Sequence, residues 1–355
     1  MPTTIADIAR EAGVSTMSVS RAINDDPKIS PATRERILRV ARKLNYRPNR
    51  YARALRTNLS HMIGIVIPDL MHSFFAEISM GVEAFSRPAG YKNFICNTEE
   101  DSGVEAGEVE ALLTHTDGLI VATALPPAET KFYRRLIKGG ARIVLIDRQL
   151  DGLRCPVIKT DDVLAGTLGT EHLIKLGHRR IGHLYGPGTS NAVGRLEGYR
   201  RALKKHQLPF TASLVRGCVY PYERSGYEVM SAWIREGNAP TALFTFNDPT
   251  AIGALRAVFD AGLRVPDDVA FVGCGAIQYG DLLRVPLTTV SWSPAEMGRA
   301  AAHQLVEMIK GKRGEADGAR QTIFTPELVV RESCGAASGV RLRSGSDVFA
   351  ALKTG

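Results

Sequence analysis

The side chains with the clearest chemistry lie close together near the start of the sequence, between residues 15 and 21. Short hydroxyl side chains and a single arginine can hydrogen-bond to base edges and phosphates in the major groove of a nucleic acid. These polar residues are Ser15, Thr16, Ser18, Ser20 and Arg21, and Met17 lies among them. Their types and spacing predict a surface that reads DNA.

Three short helices are expected to position these side chains. Thr4 and Asp7 have the spacing of a capping box that begins the first helix, and Gly13 permits the turn that ends it. Ser15 is the expected N-cap of the second helix, and a Ser-Pro pair at 30 and 31 begins the third. Apolar residues at helical spacing predict a small core made of Ile5, Ile8, Ala9, Ala12, Val14, Val19, Ala22, Ile23, Ile37, Val40, Ala41 and Leu44.

Positive charge is concentrated at the same end of the chain. Residues 1–60 contain 12 Lys or Arg and five Asp or Glu, a balance of +7, while the whole chain carries +8. The remaining residues are therefore nearly neutral. A basic segment on a neutral body is typical of a protein that binds a polyanion, and a solvated basic helix face is the alternative.

This segment resembles the lactose-repressor (LacI) family. The motifs that carry the resemblance are Val14-Ser15, Ser18-Val19-Ser20-Arg21, Asn24, Leu44-Asn45-Tyr46-Arg47-Pro48-Asn49 and Ala52-Arg53-Ala54-Leu55. The resemblance implies that Thr16 and Met17 set operator preference and that Arg21 contacts a base or a phosphate. It also implies that residues 49–57 form a hinge helix only when paired on DNA, with Leu55 as an apolar wedge in the minor groove.

The expected partner is a double-stranded palindromic operator bound by a homodimer. The residues expected to contact it are Thr4, Ser15, Thr16, Met17, Ser18, Ser20, Arg21, Asn24, Tyr46, Asn49, Ala52, Arg53, Leu55 and Arg56. An ordinary core position is the alternative for Leu55, and the charged neighbours Arg53 and Arg56 disfavour it.

The rest of the chain predicts an α/β core. Short apolar runs alternate with amphipathic helical stretches, which is typical of βαβ units in a parallel sheet with helices on both faces. The runs are 62–67, 93–96, 118–122, 142–146, 181–185, 242–246 and 269–273. Ligands of such sheets bind outside the carboxyl ends of the strands.

The family resemblance covers about residues 3–333 and implies a core similar to a periplasmic sugar-binding protein. Its further motifs are Gly64-Ile65-Val66-Ile67-Pro68, Ile146-Asp147-Arg148, Leu176-Gly177-His178-Arg179-Arg180-Ile181, Phe246-Asn247-Asp248, Val265-Pro266-Asp267-Asp268-Val269 and Pro286-Leu287-Thr288-Thr289-Val290. The expected fold is an N-terminal all-α helix-turn-helix head followed by an α/β core of two parallel-sheet subdomains.

The expected domains follow from these motifs. A helix-turn-helix head occupies 1–47, a hinge 48–60 and the ligand-binding and dimerising core 61–334. The N-subdomain comprises about 61–159 and 291–321, and the C-subdomain comprises about 160–290 and 322–334. Chain crossings are expected near 160, 290 and 322, with a last strand over 323–331. Residues 335–355 predict a flexible tail, and a short tetramerising helix is the alternative.

A small-molecule effector is expected in the cleft between the subdomains. Arg195 matches a family arginine that forks onto a hydroxyl pair or a carboxylate, and Asp147 and Asn247 match positions that bind a sugar. The expected effector-binding residues are Phe74, Phe75, Asp147, Arg148, Asn191, Arg195, Tyr220, Asn247 and Gln278. Asp69 and Asp161 are further polar residues at strand ends.

One departure from the family pattern bears on the ligand. Many members carry Gly-Phe-Asp-Asp after the strand near residue 270, and the first Asp holds sugar hydroxyls, whereas this chain has Gly273-Cys274-Gly275-Ala276. Loss of a carboxylate near Arg148 and Arg195 predicts a cleft that tolerates anions, and so a sugar acid, a sugar phosphate or another anionic carbohydrate derivative. A neutral sugar held by Gln278 or Tyr279 is the alternative.

Other function classes lack support in the sequence. The five cysteines have no CxxC spacing and the eight histidines are scattered, so no metal and no cofactor are expected. No Walker loop, GxSxG motif or catalytic carboxylate pair is found, so catalytic residues and an enzyme are not expected. A solute-binding protein would need an export signal, which we do not find, and no run is long enough to span a membrane. The expected location is the cytoplasm, at the nucleoid.

The expected mechanism is a population shift between two arrangements of the homodimer. Closure of the cleft around a ligand moves the N-subdomains, which either orders the hinge helices, as a corepressor does, or separates them, as an inducer does. Repression is the family default, and a transcription activator or a ligand-independent regulator of the same fold are the alternatives.

Overall fold

The computed structural model describes residues 3–23, 25–46, 59–311 and 320–336. These residues belong to two compact units, which divide between residues 60 and 61. Most of the predicted hinge and the tail from residue 337 onward lie outside the described residues. No described helix combines the length and the apolar character needed to cross a membrane.

The first unit, which we call the head, contains the three predicted helices, α1 (Ile5–Ala12), α2 (Thr16–Ile23) and α3 (Pro31–Lys43). The predicted capping box is confirmed, because the amide of Asp7 donates to Thr4 Oγ1 at 3.3 Å and the amide of Thr4 donates to Asp7 Oδ2 at 2.9 Å. Gly13 ends α1 with φ at 63°. Ile8, Val19 and Ile37 are fully buried between the helices and form the centre of the head's core.

The second unit contains two six-stranded sheets. We call the first sheet and its helices the N-lobe. Its strands are β1 (Met62–Ile67), β2 (Lys92–Asn97), β3 (Leu119–Val121), β4 (Ile143–Ile146), β5 (Val157–Thr160) and β11 (Gln321–Phe324). They are parallel in the order β11-β5-β4-β3-β1-β2. Its helices are α4 (Ser73–Ser86), α5 (Ser102–Leu113), α6 (Lys131–Lys138) and α11 (Pro294–Ile309).

We call the second sheet and its helices the C-lobe. Its strands are β6 (Ile181–Tyr185), β7 (Val215–Gly217), β8 (Ala242–Thr245), β9 (Ala270–Cys274), β10 (Thr289–Ser291) and β12 (Glu327–Val329). Their order is β12-β10-β9-β8-β6-β7, and only the β10–β12 pair is antiparallel among the described strands. Its helices are α7 (Asp162–Lys175), α8 (Ser190–Lys205), α9 (Tyr222–Arg235) and α10 (Asp248–Asp260), and a 3-10 turn spans Ala212–Leu214.

All seven predicted apolar runs fall on strands, which confirms the predicted α/β alternation. The strands without a predicted run are β5, β7, β10, β11 and β12, each of three or four residues. A segment this short contains too few positions to display a period, so its sequence does not distinguish it from a loop.

The chain crosses between the lobes three times. It passes from β5 into α7, from β10 into α11 and from β11 into β12. The predicted single strand over 323–331 is therefore wrong, since β11 pairs with β5 in the N-lobe and β12 pairs with β10 in the C-lobe. Pro326 lies between them, and its lack of an amide hydrogen disfavours a continuous strand at that point.

Three pairs of helices cross at close range through reciprocal glycines. The glycines that face the partner helix are Gly81 and Gly298 in α4 and α11, Gly166 and Gly198 in α7 and α8, and Gly226 and Gly253 in α9 and α10. A β-carbon at any of these positions would lie between 1.8 and 2.3 Å from a backbone oxygen of the facing helix. Reciprocal glycines therefore allow close packing of helix pairs in both lobes.

Candidate functional site

One cleft is lined by the carboxyl ends of strands from both lobes. This is where open parallel sheets bind ligands, because the loops that follow the strands converge there. In this conformation the cavity between the lining atoms is about 30 Å³, room for about one water molecule, so the cleft is nearly closed. The lining residues are His72, Phe74, Phe75, Glu100, Asp147, Arg148, Asn191, Arg195, Tyr222, Phe246, Asn247, Cys274, Gly275 and Trp292.

The N-lobe contributes a buried ion pair between Arg148 and Glu100. The two terminal nitrogens of Arg148 donate to the two carboxylate oxygens of Glu100 at 2.7 and 2.6 Å, and the side chains are 3% and 8% exposed. Burial opposes ionisation of Glu100, but Arg148 and the Tyr222 hydroxyl outweigh it and hold the pKa of Glu100 below its usual value. Such a bidentate, charge-assisted contact is strong and geometrically specific.

Asp147 lies beside this ion pair in an unusual backbone conformation. Its φ is 65°, in the left-handed region that is uncommon for residues other than glycine. Asp147 Oδ2 accepts from Asn191 Nδ2 at 2.8 Å, and Asp147 Oδ1 has no hydrogen-bond partner among the described residues. Burial raises the pKa of Asp147, and Arg195 and Arg148 oppose that rise. Asp147 Oδ1 is therefore a buried acceptor that a ligand hydroxyl can satisfy.

The C-lobe contributes Arg195 from α8. Its Nε donates to Asp162 Oδ1 at 3.0 Å and its Nη1 donates to the carbonyl oxygen of Phe246 at 2.7 Å. The guanidinium also lies 5.1 Å from the ring centroid of Trp292. Burial raises the pKa of Asp162, and Arg195 opposes the rise. Asp162 itself does not line the cleft, so this ion pair presents only its arginine to a ligand.

Hydrogen bonds join the lobes around the cleft. The Tyr222 hydroxyl donates to Glu100 Oε1 at 2.7 Å, and Asn191 donates to Asp147 as described above. The amide of Gln149 also donates to Ser190 Oγ at 2.8 Å. These contacts hold the facing edges of the two lobes together in this conformation.

Aromatic side chains form the remaining walls. His72, Phe74 and Phe75 pack edge to face, with ring centroids between 5.1 and 5.9 Å apart, and Trp292 lies 5.8 Å from Phe74. Burial, together with Arg195 and Arg148, lowers the pKa of His72 to about 3, so its imidazole is neutral. Flat apolar walls with a few fixed polar groups suit a small ring that carries hydroxyls.

The structure brings seven of the nine predicted effector residues into the lining. These are Phe74, Phe75, Asp147, Arg148, Asn191, Arg195 and Asn247. Tyr220 lies outside the lining and packs against Tyr222, with ring centroids 5.9 Å apart. Gln278 is exposed in the loop after β9 and also lies outside it.

Three of the predicted strand-end residues accept hydrogen bonds from backbone amides of their own loop or helix. Asn247 is the N-cap of α10 and accepts from the amide of Thr250 at 2.9 Å, in addition to lining the cleft. Asp161 is the N-cap of α7 through the amide of Leu164, and Asp69 accepts from the amide of Met71 at 2.8 Å. Asp69 and Asp161 do not line the cleft.

Several lining residues are absent from the predicted set. These are His72, Glu100, Tyr222, Phe246, Cys274, Gly275 and Trp292. Glu100 follows a predicted strand, so the strand-end rule applied to residues 93–96 includes it among the candidates without separating it from Glu99. Trp292 follows β10, whose three residues carry no such signal. No group of three metal-binding side chains occurs within the described ranges.

The head carries the predicted DNA-contacting side chains on and around α2. Thr16 and Met17 are exposed, Met17 by 61%. Ser15 accepts from the amide of Ser18 at 3.1 Å, which confirms it as the helix cap, and Arg21 Nε lies 3.7 Å from Asp26 Oδ2.

The other predicted contacts divide into two groups. Ser20 is half-buried, Thr4 belongs to the capping box and Tyr46 packs against the head's core. The rest lie outside the described residues and stay predictions; they are Asn24, Asn49, Ala52, Arg53, Leu55 and Arg56.

Comparison with known proteins agrees with this architecture. Residues 4–49 match "Bacterial regulatory proteins, lacI family" and residues 170–334 match "Periplasmic binding protein-like domain". The transcriptional repressor PurR of Haemophilus influenzae (strain PittEE) is 34% identical over 334 residues, 93% of this chain and 98% of that protein.

Two solved structures extend the likeness to three dimensions. The Lac repressor dimer bound to operator and the anti-inducer ONPF has a TM-score of 0.83 at 27% identity, covering 94% of this chain and 99% of that one. The complex of the transcriptional regulator CelR with cellobiose has a TM-score of 0.69 at 29% identity, covering 93% and 99%. With a helix-turn-helix head, a two-lobed core and relatives matched over nearly their whole length, this chain belongs to the LacI family of bacterial transcription regulators.

Proposed function

We propose that this protein represses transcription by binding a palindromic operator as a homodimer, and that a small carbohydrate-type ligand in the cleft controls its operator affinity. One observation carries the proposal. The same chain has an exposed polar face on α2 and a cleft whose buried groups include hydrogen-bonding atoms without a partner among the described residues, Asp147 Oδ1 and Trp292 Nε1. The Lac repressor complex with operator and anti-inducer supports the pairing of these two sites in one regulator.

The operator is bound, in this proposal, by α2 in the major groove and by the hinge in the minor groove. Leu55→Ala is expected to weaken operator binding by more than about tenfold, because the wedge that unstacks the central base step is lost. Fluorescence anisotropy with a labelled operator fragment measures this loss. Leu38→Ala is a matched control in the head, since Leu38 is 37% exposed on α3. Equal affinities for the wild type and Leu55→Ala would exclude the wedge.

Dimerisation is supported by apolar exposure on the N-lobe. Met71 and Met80 are 86% and 60% exposed on and beside α4, and Phe94 and Ile95 are 44% and 45% exposed on the edge strand β2. A monomer gains nothing from such apolar exposure, whereas a second copy would bury it. Sedimentation of Met80→Glu is expected to show a shift toward monomer, with Met17→Glu in the head as the control.

The ligand is expected to be a small hydroxylated ring. Asp147 Oδ1 can accept from a ligand hydroxyl, and Arg195, Asn191 and Asn247 surround the same space. The predicted anionic ligand stays a prediction, and the ion pairs weigh against it because each arginine already faces a buried carboxylate. A regulator of this kind works on DNA in the cytoplasm and has no catalytic step.

A thermal-shift screen followed by operator titration tests the proposal. The panel holds neutral sugars, sugar acids, sugar phosphates and nucleobases. A ligand at a hundredfold excess over its Kd stabilises by about 2.7 kcal/mol. A true effector must also change operator affinity in either direction. If the protein selects no palindromic sequence from a random DNA pool, the repressor function is excluded.

A further inference from the structure

The loop that follows β2 holds Glu100 in a conformation that its sequence does not favour. The amide of Asp101 donates to the carbonyl oxygen of Thr98 at 2.9 Å, which closes a four-residue turn. The two central residues, Glu99 and Glu100, have φ of 53° and 59°. Turns with two left-handed central residues prefer asparagine and glycine. Two glutamates in these positions persist only because other contacts enforce the turn.

The contacts of Glu100 supply that enforcement. Its carboxylate receives both terminal nitrogens of Arg148 in the N-lobe and the hydroxyl of Tyr222 in the C-lobe. The neighbouring Glu99 is exposed and makes no comparable contact with Arg148. The strained turn therefore delivers one of two adjacent glutamates into the cleft and leaves the other in solvent.

We propose that Glu100 is a specificity-determining residue that excludes acidic ligands, because its carboxylate occupies the face of Arg148 that a ligand anion would use. The proposal rests on the cleft being the ligand site proposed above. It reverses the expectation drawn from Gly275, since the carboxylate missing after β9 is replaced by one from the opposite lobe. The ligand is then a neutral, hydroxylated molecule that donates to Asp147 and leaves the Arg148–Glu100 pair intact.

The charges around the cleft agree with this assignment. Arg148 faces Glu100 and lies 3.5 Å from Asp147 Oδ2, and Arg195 faces Asp162. His72 is neutral. Each arginine of the described lining has a nearby acid, so the cleft offers little uncompensated positive charge to a carboxylate or phosphate.

The test compares Glu100→Gln with Glu99→Gln, using inorganic phosphate and gluconate as anionic probes and glucose as the neutral probe. The substitution at Glu100 removes one negative charge beside Arg148 and keeps the side-chain volume. Calorimetric titration at constant ionic strength is expected to show saturable phosphate or gluconate binding to Glu100→Gln, at least about tenfold tighter than any residual binding to the wild type, which should not depend on Arg148. Glu99→Gln is expected to behave as the wild type does.

The double variant Glu100→Gln with Arg148→Met and the wild type complete the comparison. Adding Arg148→Met to Glu100→Gln must abolish the gained anion binding, since Arg148 is the proposed receptor. The wild type alone gives a measurement that does not depend on folding of a variant. The proposal is overturned if the wild type binds the anion and Arg148→Met removes that binding. It is also overturned if Glu100→Gln folds but binds the anion no more tightly than the wild type does.

Operator binding is measured in parallel on the same variants. If the wild type does not bind operator, the proposed function is refuted. The comparison of anion binding between the variants remains valid in that case. An unchanged operator affinity with no anion gain in Glu100→Gln would refute the role of Glu100 alone.

Discussion

The N-lobe and the C-lobe have the same architecture but differ in how much of a buried ion pair each presents to the cleft. Each lobe has six strands, a close helix crossing through glycines and one buried arginine paired with a buried acid. In the N-lobe both Arg148 and Glu100 line the cleft, whereas in the C-lobe only Arg195 does and Asp162 stays behind it.

The architecture that the two lobes share therefore does not determine the chemistry of the ligand. The sheets place loops at the same edge in both lobes, because parallel strands end there together. Which charge reaches the ligand then depends on one residue after one strand. Glu100 comes from a turn after β2, and Asp162 is the first residue of α7, where its contacts are with the helix's own lobe.

The largest expected effect comes from removing the arginine of either pair. Arg195→Met leaves Asp162 buried without its partner and should destabilise the protein by about 3 to 5 kcal/mol. Arg148→Met should cost less, because Glu100 keeps the hydrogen bond from Tyr222. Urea unfolding followed by tryptophan fluorescence measures both losses.

A second substitution provides the control for the arginine comparison. Adding Asp162→Asn to Arg195→Met removes the buried carboxyl that has lost its partner and should restore part of the stability. Equal losses in Arg195→Met and Arg148→Met would mean that the two ion pairs stabilise the protein equally, contrary to the expected difference between the lobes.

A smaller effect is expected where the lobes are alike, at the glycine crossings. Gly81→Ala in the N-lobe and Gly253→Ala in the C-lobe force a methyl group to within 2.0 and 1.8 Å of a facing backbone oxygen. Each should cost about 3 kcal/mol through overpacking and helix displacement. The measurement is the free energy of unfolding of each variant.

Gly107→Ala is the matched control for the crossings. Gly107 is exposed in α5 with nothing within 4 Å of an added methyl group, so the change should stabilise by about 0.5 to 1 kcal/mol. A neutral result at Gly81 with a large loss at Gly253 would show that only the C-lobe depends on its crossing.

The smallest expected effect is a pH dependence in the core of the C-lobe. His183 is stacked between Tyr199 and Phe244, and its Nδ1 donates to the carbonyl oxygen of Phe244 at 2.9 Å. Burial lowers the pKa of His183 from 6.5 to about 4. The unfolded chain binds this proton below pH 6.5 and the folded chain does not, so stability is lost as pH falls from 6.5 toward 4.

His183→Phe should remove this contribution, on the order of 2 kcal/mol over that range. Unfolding free energies at pH 7 and pH 4.5 measure it, and the variant should show a smaller difference than the wild type. His115→Phe serves as the control, because His115 is exposed in the turn that follows α5. An identical pH dependence in the wild type and in His183→Phe would contradict the prediction.

The sequence determined the class of the protein and most of its elements. The capping box of Thr4 and Asp7, the turn at Gly13 and the long apolar runs are local signals, and the structure contains each of them. The family motifs located Asp147, Arg195 and Asn247, which line the cleft. Local signals suffice there because capping, turn formation and periodic burial depend on neighbouring residues.

Which side chains meet across the two lobes follows from the three-dimensional fold and not from local sequence. Glu100 and Tyr222 are 122 residues apart and share a hydrogen bond, and Pro326 separates two strands of different sheets. The loss of an acid at Gly275 predicted an anion site, but the charge of Arg148 is neutralised by an acid from elsewhere in the chain. The balance of charge in a cleft depends on distances between remote residues, which a linear pattern does not contain.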